Sequence, residues 1–72
     1  MRTINRIPAG MLEFYIVEAM IEYGGSFVST LGTLFRRADG TNQEKLRVAF
    51  KNYFDDYKTK GIEMYFKEYP NS

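Results

Sequence analysis

Three residue types are missing from this 72-residue chain: cysteine, histidine and tryptophan. Without cysteine there is no disulfide and no thiolate metal ligand. Without histidine there is no imidazole ligand and no imidazole base to activate a hydroxyl. Ser26, Ser29, Thr30 and Thr33 supply hydroxyls, but no motif marks a lysine as their base. Carboxylate pairs fare no better. Asp55 and Asp56 are neighbours and would diverge by about 100° on a helix, while Glu18 and Glu22, one turn apart, read as a solvated face. An oxygen-ligand metal site needs more convergent carboxylates than this spacing gives. Gly24-Gly25-Ser26 has the look of a small anion nest, but without the lysine and spacing of a phosphate loop it reads as one helix ending and another starting. No catalytic, cofactor-binding or metal-binding residue is nominated, and the chain is expected not to be an enzyme.

Charge of a dominant sign is also lacking. Ten basic residues against nine acidic ones leave a net charge of +1. Dedicated nucleic-acid binders usually carry a clear basic excess, because phosphate neutralisation dominates their affinity. Long apolar runs are absent too. The stretch from Met11 to Tyr23 is interrupted by Glu13, Glu18 and Glu22, and it falls short of the roughly 20 residues that span a bilayer. Those carboxylates also disqualify it as a secretory signal. The expectation is a soluble, cytoplasmic protein with no membrane partner.

What the chain does contain is aromatic and aliphatic surface. Hydrophobic residues make up 44% of it, with six Phe and six Tyr. Aromatic side chains bury roughly 150–250 Å² each, and a domain this small hides only about 60% of its unfolded surface. Some aromatics should therefore be displayed.

The pattern predicts a single all-α domain over 1–72: a three-helix bundle with a short fourth element. Residues 1–7 read as an extended arm, and Pro8 suits the first turn of a helix. Leu12, Tyr15, Ile16, Ala19, Met20 and Tyr23 recur at helical spacing on one face of that helix. Phe14, Val17 and Ile21 widen the stripe beyond what a surface helix normally buries. Gly24-Gly25 would end the helix in the left-handed conformation. Ser26 is the expected N-cap of a second helix to about Ala38. Phe27, Leu31, Leu34, Phe35 and Ala38 would face inwards, and Ser29, Thr30, Thr33, Arg36 and Arg37 outwards. Thr41-Asn42-Gln43-Glu44 fits a capping box that opens a third helix over 41–57. That helix carries Leu46, Ala49, Phe50, Tyr53 and Tyr57 inwards, with Lys51–Asp55 and Asp56–Lys60 as exposed pairs. Gly61 is the predicted stop. The element at 62–69 suits a helix through Ile62, Phe66 and Tyr69, while Ile62, Met64 and Phe66 alternate as in a strand; helix is favoured.

Two surfaces stand out. The first is apolar: Phe14, Val17 and Ile21 on the first helix, with Met64, Tyr65 and Tyr69 on the tail, as anchors for a protein partner or a second copy of the chain. The second is polar and basic. The second and third helices meet at a short turn, as in a helix-turn-helix. Asn42, Gln43, Lys45 and Arg47 could face a major groove, with Arg36, Arg37 and Lys51 on phosphates. Near-neutral charge and the adjacent Asp39, Glu44, Asp55 and Asp56 rank this reading second.

From Ile21 to Tyr57 the residues Tyr23-Gly24-Gly25-Ser26-Phe27-Val28, Leu31, Ala38-Asp39, Asn42, Lys45-Leu46, Ala49-Phe50, Tyr53 and Tyr57 form a pattern. It is similar to a type of short helical reading frame, of unassigned function, found in phages and prophages. The resemblance spans about half of the chain, and the segment after Tyr57 departs from it. It implies no catalytic residues. What it does imply is context: small phage proteins of this kind are often accessory factors that bind and inhibit a host protein, defence systems such as CRISPR effectors included.

Overall fold

A computed structural model describes residues 7–70 of the chain; the arm expected at 1–7 lies outside them except for Ile7. The fold is all-helical, with no strand among the described residues. It has five helices: α1 (Ala9–Tyr23), α2 (Ser26–Arg37), α3 (Gly40–Ala49), α4 (Lys51–Asp56) and α5 (Lys58–Glu68). The tail is thus helical, and the alternation of Ile62, Met64 and Phe66 does not produce a strand.

Pro8 stands just ahead of the first turn of α1, where its missing N–H costs nothing, and its carbonyl accepts from the Leu12 amide at 2.9 Å. The helix contributes five buried residues, Tyr15, Ile16, Val17, Ala19 and Met20, of which Met20 and Ala19 are wholly enclosed. It ends at Gly24, though not in the left-handed conformation the sequence suggested: Gly24 is extended at φ −75°, ψ 156°. Crowding explains the glycine instead. A Cβ there would lie 2.5 Å from the Met20 carbonyl oxygen and 2.6 Å from Val28 Cγ1.

Gly25, not Ser26, holds the N-cap position of α2, and no side chain caps that helix. Its buried face is Val28, Leu31, Gly32 and Phe35, with Val28 half-buried. Phe27 and Leu34, expected inside, are more than half exposed. Ser29, expected outside, turns inwards and donates to the Ile21 carbonyl at 3.0 Å, satisfying an acceptor left open at the end of α1. The start of α3 also differs from expectation. Asp39 is the N-cap, its carboxylate accepting from the Asn42 amide at 2.9 Å, so Thr41 lies inside the helix and the capping box does not form.

The single helix expected over 41–57 is divided. Phe50 (φ −117°, ψ 32°) separates α3 from α4, and Tyr57 (φ −103°, ψ 9°) separates α4 from α5. Neither break is at a glycine or proline, so tertiary packing overrides a continuous helical propensity. The kink lets Phe54 meet Phe35 at 5.0 Å between ring centroids, while Phe50 and Tyr53 flank Phe27 at 6.0 and 5.5 Å. The break at Tyr57 also undoes the expected Asp56–Lys60 pair: Lys60 lies 3.8 Å from Glu63 and over the Tyr23 ring at 5.2 Å.

Two seams converge on α1. On one side Ile16, Val17 and Met20 pack with Leu31, Phe35 and Phe54. Fully burying each such side chain is worth about 1.5–3 kcal/mol. On the other side α5 crosses at Gly61, which is no stop at all but a buried residue within α5. A Cβ on Gly61 would fall 2.8 Å from the Ile16 nitrogen and 2.9 Å from its Cα. Backbone atoms yield less readily than a side-chain tip, so Gly61→Ala is expected to destabilise the fold by about 1–3 kcal/mol, despite a helix-propensity gain of about 1 kcal/mol. Gly10→Ala, in open space on α1, should gain a few tenths to about 1 kcal/mol. Urea midpoints of the two variants will check the contrast; a neutral Gly61→Ala would refute the crossing.

Candidate functional site

The six residues expected to form an apolar contact surface do not share one face. Val17 and Tyr65 are core residues, 2% and 7% exposed, and have no surface to offer. Ile21 is half-buried and packs on the core cluster, its Cγ1 directly over Gly32. Phe14 and Tyr69 are exposed, and a run of ring contacts joins them through the buried pair: Phe14–Tyr15 at 5.2 Å, Tyr15–Tyr65 at 5.7 Å and Tyr65–Tyr69 at 5.0 Å. Met64 sits apart, half-buried in a shallow depression of about 410 Å³ with Glu22, Tyr23, Lys67 and Glu68. Burial raises the Tyr15 hydroxyl above its usual range, with further upward pushes from Tyr69 and Glu68.

The basic set is largely committed to neighbours within the chain. Arg47 points at α1, where its Nε and Nη2 donate to the two carboxylate oxygens of Glu13 at 2.7 and 3.0 Å, and Nη1 donates to Glu44. This forked pairing holds Arg47 further above its ordinary range, against the opposing effect of burial. Arg36 donates to Glu18 at 3.3 Å and lies over the Phe14 ring at 4.9 Å. Lys51 pairs with Asp55 at 2.8 Å. Gln43 donates its side-chain amide to the Phe35 carbonyl at 2.9 Å, closing the end of α2. Arg37 and Lys45 stand apart from these pairs and, with Asn42, line a groove of about 300 Å³.

That groove belongs to a surface the sequence stripe concealed. Phe27 and Leu34, on α2, and Val48, on α3, are 55%, 52% and 68% exposed. No side chain of α3 is fully buried, and Leu46 is half-buried against the core cluster. Three contacts tether it to the body: Leu46 on the core cluster, the Glu13–Arg47 fork and the Gln43 amide on α2. The signal that could have exposed the true inner face was Gly32. A glycine in mid-helix marks a close approach, and Val28, Leu31, Gly32 and Phe35 are spaced i, i+3, i+4 and i+7.

No helix among the described residues is long and apolar enough to cross a membrane. No known protein family matches the chain, and neither a curated protein nor a solved structure matches it significantly.

Three measurements test this geometry. The Glu13–Arg47 pair is about one-third exposed on each side, so a double-mutant cycle with Glu13→Gln and Arg47→Met should give a coupling of about 0.5–1 kcal/mol that shrinks in high salt. Amide exchange in α3 should speed up in either single variant while α1 holds; unaltered exchange would show that the fork does not tether α3. For Tyr15 the folded chain retains its proton at a pH where the unfolded chain has lost it, so stability falls as pH rises above about 10. Tyr15→Phe should flatten part of that alkaline slope in urea midpoints taken between about pH 8 and pH 11.

Proposed function

We propose that the chain is a non-enzymatic protein-binding module, a phage-type accessory protein that acts in the host cytoplasm by occupying the surface of a host protein. Taken as a bundle, α1, α2 and the kinked α3–α4 rod form its body, and α5 is the short fourth element. The observation that carries this reading is the large apolar side chains left in solvent on α2 and α3: Phe27, Leu34 and Val48. Large apolar side chains exposed in this way are available as anchors for a partner. The resemblance to phage reading frames supplies the host context, with defence proteins such as CRISPR effectors among the targets it implies.

The alternative is a small DNA-binding regulator, favoured by the proximity of Arg37, Asn42 and Lys45. Its magnitude is against it. Each phosphate neutralised contributes a slope of about −0.9 in log affinity against log salt. Arg37 and Lys45 together would lose only about tenfold in affinity from 50 to 200 mM salt, where proteins with six to ten phosphate contacts lose roughly 10³–10⁵. Arg36, Arg47 and Lys51 would first have to leave Glu18, Glu13 and Asp55.

Capture of the tagged chain's partners from a lysate of the native host, with nuclease and a high-salt wash, tests the reading. One stoichiometric protein that survives both treatments is the expected result. Recovery that disappears with nuclease would favour the DNA-binding alternative. A bare bait whose melting temperature rises with its own concentration would replace the host partner with a second copy.

A further inference from the structure

We infer that the groove between α2 and α3 is the contact site, and that its occupant is an amphipathic helix of a partner protein with an apolar stripe flanked by Asp and Glu. This rests on the protein-binding reading above and specifies the surface and the chemistry. Leu34 and Arg37 on α2, Ala38 at its extended C-cap, and Asn42, Lys45 and Leu46 on α3, which follow i, i+3, i+4 spacing, together line the groove. Each helix thus contributes one ridge, and the trough between two ridges accepts a ridge of a third helix. Val48, one turn beyond Lys45, and Phe27, two turns before Leu34 and against the Phe50 and Tyr53 rings, add exposed apolar surface towards the end of the groove away from the α2–α3 turn.

Charge complementarity selects the occupant. Arg36, Arg47, Lys51 and Lys60 each have a carboxylate of the chain within 4 Å. Arg37 and Lys45 have none among the described residues, although both stand on helices that carry acids nearby. The Asp39 carboxylate is turned onto the Asn42 amide, and Glu44 is held by Arg47. The groove rim is therefore cationic over an apolar floor. A basic helix would be repelled, and a nucleic acid would leave Leu34 and Leu46 facing polar backbone. An acidic amphipathic helix satisfies both the rim and the floor.

The test is a titration of the isotope-labelled full chain, followed by amide chemical shifts, with three synthetic peptides. One is a Leu/Glu helix with Leu at i, i+3, i+4 and i+7; the second replaces every Glu by Lys; the third scrambles the first to destroy its stripe. The Leu/Glu helix should move the amides of Leu34–Leu46 and Val48, and the other two should bind at least about tenfold more weakly. Arg37→Glu with Lys45→Glu, both exposed, should keep the wild-type spectrum elsewhere, lose about tenfold in affinity for the Leu/Glu helix and gain affinity for the Leu/Lys one. Leu34→Asp should abolish both. Shifts confined to the Phe14 and Tyr69 surface, equal binding of all three peptides, or no binding would overturn the inference. So would a DNA duplex that moves the same amides more strongly. If a host protein is captured equally by wild type and by the charge-reversed variant, the groove is wrong and the protein-binding reading stands. If the peptide docks in the groove but no host protein is captured, the groove stands and that reading fails.

Discussion

At Gly61 the backbone of α5 rests on the backbone of α1, and that separation governs what both helices can do. With no side chain between them, Tyr65 reaches the edge of Tyr15 and Lys60 reaches the face of Tyr23. A methyl group at that point would meet the Ile16 backbone and push the two helices apart. The strain would fall on α1, which supplies five of the nine buried hydrophobic residues. A chain with no disulfide and no metal has nothing else to fall back on. Gly32 plays a related part on the opposite side, where Ile21 and Met20 lie close over α2.

Much of this frame was legible in the sequence. The first two helices follow from their periodicity and from Gly24-Gly25, and the helical tail follows from Ile62, Phe66 and Tyr69. What escaped was information held by partners distant in sequence. A glycine within a helical pattern can mean a terminus or a close approach, and only the neighbouring helix decides; for Gly61 that neighbour is Ile16. The breaks at Phe50 and Tyr57 carry no local signal, because rings on α2 set the first and no glycine or proline marks either. The stripe Phe27, Leu34 and Ala38 looked internal because it is apolar and correctly spaced, yet the stripe through Gly32 packs more closely and takes the inward position.

The candidate surface was obscured for a similar reason. Sequence lists charges but not their partners, so Arg47 looked available when its guanidinium is forked onto Glu13, 34 positions earlier. Arg36 and Lys51 are likewise spent. Of the candidate basic set, removing the paired cations leaves Arg37 and Lys45 and moves attention from a recognition helix to the trough beside it. Two of the six apolar anchors are withdrawn by the same logic, while Phe14 and Tyr69 are exposed. Val17 is too good a core residue to be displayed, and Tyr65 is occupied by Tyr15.

Because α3 packs inwards through Leu46, Gln43 and Arg47, folding places little demand on the residues along its outer edge. Asn42, Lys45 and Val48 are exposed, and exchanging them alters the shape and charge of the trough while α1, α2 and α5 keep their packing. Change along α1 has no such latitude, since each of its inner positions meets a neighbour. Selection for a new or shifting target therefore has a region in which to work without passing through unfolded intermediates. Lineages that track an evolving partner would be expected to diversify along this edge of α3 well before they altered the helix at the centre.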